Sequence, residues 1–213
     1  MNFVTAERQR LVTTFERVGA DAPTLCEGWS AEDLLRHLVI REIYPHVGLF
    51  AKVPVGLADP AREQVEELNG QDYDTLLSTF RDGRQKLSPL QVAPVDRAMN
   101  TLEYVIHHED LRRAQNPVLG RVLTGAEQRE IFTHLKGMAQ MLFAASPVRI
   151  VLHAPGIGDI TALATKRHKN TVTITGAPVE LALFAFGRDR VADVSFAGDA
   201  SDIEKVTASK RSA

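Results

Sequence analysis

Apolar residues recur at helical spacing over the first two-thirds of the chain and then give way to strict alternation. Leu11, Val12, Phe15 and Val18 mark a first helix, with Thr5 as a candidate N-cap. Ser30 and Asp33 have the spacing of a capping box, Asp standing where Glu is usual. They predict a second helix carrying Leu34, Leu35, Leu38 and Val39. Pro45 kinks or ends that helix. Residues 53–60 read as loop, with Pro60 at the first position of a short helix. Leu76, Leu77, Phe80 and Leu87 predict a third long helix near 72–87. After a proline-bearing loop at 88–94, a further helix spans about 98–114 and stops before Asn116-Pro117. Thr124 and Glu127 form a fuller capping box for a helix bearing Ile131, Leu135, Met138 and Leu142.

Beyond Pro147 the period is that of strands. Residues 171–175 and 193–196 alternate, and 148–154 and 159–165 read as two more strands around the turn Pro155–Gly158. Pro178 and Gly187 frame a short apolar helix over Val179–Phe186. Ser201 and Glu204 are candidate caps for a last one. The pattern predicts an α+β chain of two domains, a helical bundle over 1–145 and a small α+β domain over 146–213.

Composition narrows the class. With 213 residues, 44% hydrophobic and 24% charged, the chain has the make-up of a globular protein with an ordinary core. A formal charge of −2 gives no reason to expect nucleic acid or an anionic membrane as partner. No apolar stretch approaches the roughly 20 residues of a membrane span, and the first residues lack a secretory leader's pattern. The single cysteine, Cys26, excludes an intramolecular disulfide and fits a reducing compartment. A soluble cytoplasmic protein, monomer or homodimer, is the expectation.

The candidate chemistry lies in two stretches. Glu103 and His107 stand at i and i+4, so on a helix they share a face at a distance that lets both reach one cation. The apolar neighbours Leu102, Val105 and Ile106 argue against surface decoration. His37, on another helix, is the candidate third ligand, the alternative being a hydrogen-bonded structural histidine. Three protein ligands leave a coordination position open, as in catalytic sites. Asp110 stands three residues after His107 and is placed to accept the second ring N–H. His108 points about 100° away and cannot join that face. His46, His134, His153 and His168 lack partners at ligand spacing, and 166–169 reads as a solvated hairpin tip. Cys26 reads as a buried, inert thiol packed near Trp29, the alternative being a soft ligand or a nucleophile. Two imidazoles and a carboxylate suit zinc, with nickel, iron or cobalt as alternatives.

The order Leu25-Cys26-Glu27-Gly28-Trp29-Ser30, Asp33, His37-Leu38, then Glu103, His107-His108 and Asp110-Leu111 resembles the mycothiol-dependent maleylpyruvate isomerase family of the DinB-like metal-binding superfamily. The likeness extends over essentially the whole chain, since Glu180–Arg188 with Gly198-Asp199 is similar to that family's C-terminal domain. It implies a DinB-like four-helix-type bundle holding a divalent metal through His37, Glu103 and His107, with Asp110 as the acidic residue that follows. It further implies a small sterol-carrier-protein-like α+β domain, with Arg188 where the family has an arginine implicated in activity. Cys26-Glu27-Gly28-Trp29 and Ile40-Arg41-Glu42 look more like an actinobacterial branch than like the isomerase itself, so fold and metal are implied more securely than the reaction.

The implied cosubstrate is the low-molecular-weight thiol mycothiol, acting on a small electrophile by S-transfer or thiol-assisted isomerisation. A thiol entering the open position of such a site ionises, whereas a free thiol of pKa about 8.5 is only a few per cent thiolate at neutral pH. Arg188 is then a candidate clamp for a substrate carboxylate, or a surface arginine after a helix end. The same ligands also suit a hydrolase or amidase that activates water, and a metal-containing binding or stress protein without turnover.

Overall fold

The protein's structure, a computed structural model, describes residues 2–43, 66–82, 94–163 and 170–211. Among the described residues, α1 (Phe3–Val18), α2 (Ala31–Ile43), α3 (Tyr73–Asp82), α4 (Pro94–Arg113) and α5 (Gly125–Leu142) come first in chain order. Then follow β1 (Arg149–Ala154), β2 (Gly158–Ala162), β3 (Thr171–Thr175), α6 (Pro178–Ala185), β4 (Ser195–Ala197) and α7 (Ala200–Ala208). Helices and a mixed sheet in one chain make the α+β class. No described helix is long and apolar enough to cross a membrane.

Three boundaries differ from the sequence reading. Thr5 lies inside α1, because the buried Phe3 draws the helix past that polar candidate. Helix α4 opens at Pro94, since proline is tolerated at a first helical position. Helix α7 is capped by Asp199, whose Oδ1 accepts from the Ser201 backbone N–H at 3.0 Å, and not by Ser201. The expected features at Pro45, 53–60, 83–93 and 164–169 lie outside the described residues.

The chain divides into two compact units. A helical unit comprises Thr5–Gln91 with His107–Gly120; a sheet unit comprises Met1–Val4, Val92–Ile106 and Arg121–Ala213. Helix α5 groups with the sheet in this division.

In the helical unit, α2 starts at the Ser30–Asp33 box. The Ser30 backbone N–H and hydroxyl donate to Asp33 Oδ2 at 2.9 and 2.8 Å, and the Asp33 N–H donates back to Ser30 Oγ at 3.2 Å. These bonds stabilise the charged form and hold the Asp33 carboxyl below its usual range. Leu34, Leu35 and Leu38 are buried, as are Leu11, Phe15, Leu76 and Phe80. Each such side chain contributes about 1.5–3 kcal/mol by leaving water. Phe15 and Phe80 meet edge to face at 6.2 Å. The Arg36 Nη1 donates to the carbonyls of Leu68, Asn69 and Gln71 at 2.6, 3.0 and 3.1 Å, tying α2 to the approach of α3. Tyr73 donates its hydroxyl to the Phe15 carbonyl at 2.8 Å, and burial pushes its phenol up to about 12, so it stays a donor.

In the sheet unit the strand order is β2-β1-β3-β4, with β1–β3 parallel and the other two pairs antiparallel. Alternation puts Ile150, Leu152 and Ala154 on one face in register with Ala162, Ile160, Val172 and Ile174, all buried. Helix α6 is buried from Pro178 to Ala185 except at the half-buried Glu180, whose carboxylate accepts from the Asp193 backbone N–H at 3.0 Å. It ends at Gly187, where φ is +79° and an added Cβ would come within 2.9 Å of the Arg211 carbonyl oxygen.

Candidate metal centre

A tight loop and one turn of α4 build the centre. Pro23 and Ser30 form an isolated antiparallel bridge across the loop, and Gly28 takes φ +78°, a turn conformation open to glycine. Inside it, the Thr24 hydroxyl bonds the carbonyls of Cys26 and Trp29 at 3.2 and 2.9 Å. The Leu25 N–H donates to the Asp110 carbonyl at 3.0 Å, which joins the loop to α4.

On α4 the stripe Glu103, His107, Asp110 follows the helical period, with the buried Leu102, Val105, Ile106 and Leu111 beside it. Nδ1 of His107 lies 3.0 Å from Asp110 Oδ2, the carboxylate placement expected one turn on. From α2, the His37 ring approaches that of His107 at 5.2 Å between centroids, inclined by 72°. One ligand atom from each of His37, Glu103 and His107 lies within 4.8 Å of the other two. Trp29, 38% exposed, sets its ring 5.3 Å from that of His37.

The donor set fits a divalent ion. Two imidazoles and one carboxylate are borderline donors that suit zinc, nickel or iron. His107 is 8% exposed, while His37 and Glu103 are half-buried, so the group is neither sealed nor splayed into water.

His108 faces elsewhere, as the helical rotation predicts. Its Nδ1 lies 2.8 Å from Glu7 Oε1 and its Nε2 2.9 Å from Thr14 Oγ1, both on α1. Glu109 is paired with Arg112 and Arg113. His134 and His153 pair with Glu130 and Asp159, whereas His46 and His168 lie outside the described residues. Arg188 is half-buried just after α6, its Nη1 donating to the Phe186 carbonyl at 2.7 Å.

Cys26 departs from the sequence reading. It is half-buried, and its Sγ donates to Asp110 Oδ2 at 3.3 Å. Its sulfur, one ring nitrogen of His107 and an Asp110 oxygen form a second group within 4.8 Å. Periodicity carries no signal for a contact 84 residues apart in the chain, and only the shared loop ties it to the motif.

Residues 4–112 match the family model described as the mycothiol maleylpyruvate isomerase N-terminal domain. The fold is similar to crystal structures of the mycothiol-dependent maleylpyruvate isomerase and of a histidine-to-alanine variant of it, with TM-scores of 0.58 and 0.59. Each alignment covers 92% of this chain and 90% of the other at 16% identity, a likeness of fold. No curated protein matches the sequence.

Proposed function

The chain belongs to the family of the mycothiol maleylpyruvate isomerase N-terminal domain, and from that premise we propose a divalent-metal-dependent enzyme that uses a small thiol on a small electrophile. S-transfer and thiol-assisted isomerisation are the reactions this reading covers, with mycothiol as the cosubstrate. The single observation that carries it is the convergence of His37, Glu103 and His107, which would hold the ion. When bound, a divalent ion there supplies Lewis acidity that favours the ionised form of an incoming thiol.

The chain's own residues prepare for that arrival. Asp110 accepts from Nδ1 of His107, which leaves Nε2 as the ligating nitrogen and fixes the ring's tilt. Asp110 is fully buried, so its charge reaches the imidazole with little screening by water. Trp29 offers a half-open aromatic wall beside His37 for the apolar part of an entering molecule. The sulfur nucleophile comes from the cosubstrate, so no protein thiol is consumed. Arg188 is the residue we assign to clamping a substrate carboxylate, as a bidentate donor. In this reading 1–145 is a DinB-like bundle and 146–213 a sterol-carrier-like domain.

Titration calorimetry of the zinc-loaded protein with mycothiol tests the proposal. Micromolar binding that vanishes in His37→Ala is the expected result. Absence of binding at millimolar thiol overturns it, and cleavage of amides without any thiol assigns the site to hydrolysis instead.

A further inference from the structure

We propose that Cys26, His107 and Asp110 form a second cation site that takes a soft, thiol-seeking divalent ion such as cadmium and competes for His107 with the His37–Glu103 group. Sulfur, imidazole nitrogen and carboxylate oxygen already stand within 4.8 Å of one another, on a loop and a helix joined by the Leu25–Asp110 backbone bond. The Asp110 Oδ2 is the common acceptor for Cys26 Sγ at 3.3 Å and His107 Nδ1 at 3.0 Å, so thiol and imidazole already meet at the carboxylate that would share the ion with them.

Charge and softness separate the two groups. A thiolate and a carboxylate together cancel a doubly charged ion, whereas two imidazoles and one carboxylate leave it with one net positive charge. Asp110 is fully buried and His107 nearly so, and a buried centre of zero net charge has the smaller desolvation cost. Thiolate is also the soft donor of the set, which selects cadmium over nickel, iron or magnesium.

The protons balance simply. On binding, Cys26 releases its S–H proton to solvent. His107 exchanges its Nδ1–H for an Nε2–H, so Nδ1 can ligate. That same proton on Nε2 removes His107 from the His37–Glu103 group, and the two sites exclude each other. The assignment rests on the geometry and not on the reaction proposed above.

The test is a titration of the metal-free 213-residue chain with cadmium chloride, followed by the ultraviolet sulfur-to-cadmium absorption. Cys26 is the chain's only thiol, so the band reports that residue alone. We expect one ion per chain in a monomeric complex, and about 10–100-fold weaker binding in Asp110→Asn. In His37→Ala the band should persist with unchanged affinity. Preloaded zinc should weaken cadmium binding in the wild type and not in His37→Ala. No band, a band that titrates alike in wild type and Asp110→Asn, or one ion joining two chains overturns the proposal. Should Asp110→Asn fail to fold, cadmium NMR of the wild type decides: a resonance of mixed sulfur, nitrogen and oxygen ligation supports the site, and one of sulfur with water alone sinks it. Thiol binding plays no part in these readouts, so either proposal can fall without the other.

Discussion

Asp202 and Arg211 in the sheet unit are as buried as His107 and Asp110 in the helical unit, yet the two sets are placed to different effect. Asp202 accepts from Asn170 and Lys205 at 2.6 and 2.7 Å, fastening α7 beside the start of β3. Arg211 bonds Asp189 and the carbonyls of Phe184 and Val206, with its guanidinium 4.2 Å from the centre of the Phe184 ring. Each is a tether at the edge of an apolar core. In the helical unit, by contrast, the four consecutive residues His107, His108, Glu109 and Asp110 are all buried, and Glu7 adds another fully buried carboxylate. Their bonds run to α1, to the Pro23–Ser30 loop and to the end of α4. Burying that many ionisable groups costs several kcal/mol per charge before pairing recovers it. A core needs no such cluster. What separates the candidate centre from a structural tether is the density of charge on one helical turn, since depth of burial is the same in both.

The comparison breaks most readily on its apolar side. Phe184 is fully buried against Phe143 and Phe196, with ring centroids 6.3 and 5.3 Å away. Phe184→Ala should cost about 3–5 kcal/mol of stability by urea denaturation while the folded fraction keeps its zinc affinity. Weaker zinc binding by the folded variant would show that the centre depends on sheet packing. On the charged side, Asp110→Asn should lower zinc affinity about 10–100-fold, because a neutral amide supports the His107 ring less well. Its effect on the metal-free fold should be the smaller one. An unchanged zinc affinity would demote Asp110 to a tether like Asp202.

Periodicity exposed only the part of this that lies within single elements. The spacing of Glu103, His107 and Asp110 places them on one stripe of α4, and Thr124 with Glu127 opens α5 as a complete capping box. Strand β3 and helix α6 were also legible, from alternation and from the Pro178–Gly187 frame. Caps at Thr5 and Ser201 failed because a neighbouring residue competed, Phe3 through burial and Asp199 through its own side-chain bond. Pairing across elements left no periodic trace. His37 stood as a candidate third ligand beside a structural alternative until the family resemblance favoured it, and the Cys26–Asp110 bond and the Glu7–His108–Thr14 chain came only with the fold.

The smallest effect tests how the helix carrying His37 is started. Both units use a capping box, Ser30–Asp33 on α2 and Thr124–Glu127 on α5, and both box threonine and serine hydroxyls accept a backbone N–H. Removing either hydroxyl should cost about 1 kcal/mol. The α2 box adds a pH signature. The bonds from Ser30 lower the folded carboxyl of Asp33 below its unfolded value of about 3.9. A carboxyl lowered on folding contributes stability that is fully present above the unfolded pKa and is lost as pH falls through the folded one. In Ser30→Ala the hydroxyl donor to Asp33 is gone while the backbone N–H of residue 30 still donates, so the part of that contribution owed to the hydroxyl is missing wherever Asp33 is charged. The stability gap between wild type and Ser30→Ala, measured by urea denaturation of the metal-free protein, should therefore be largest at neutral pH. It should narrow below about pH 4, where Asp33 is protonated in both proteins, to the part owed to the Ser30 hydroxyl accepting the Asp33 N–H. A gap that stays constant from neutral to acid would mean the carboxylate adds nothing to the start of α2, and His37 would owe its position to the packing of Leu34, Leu35 and Leu38 alone.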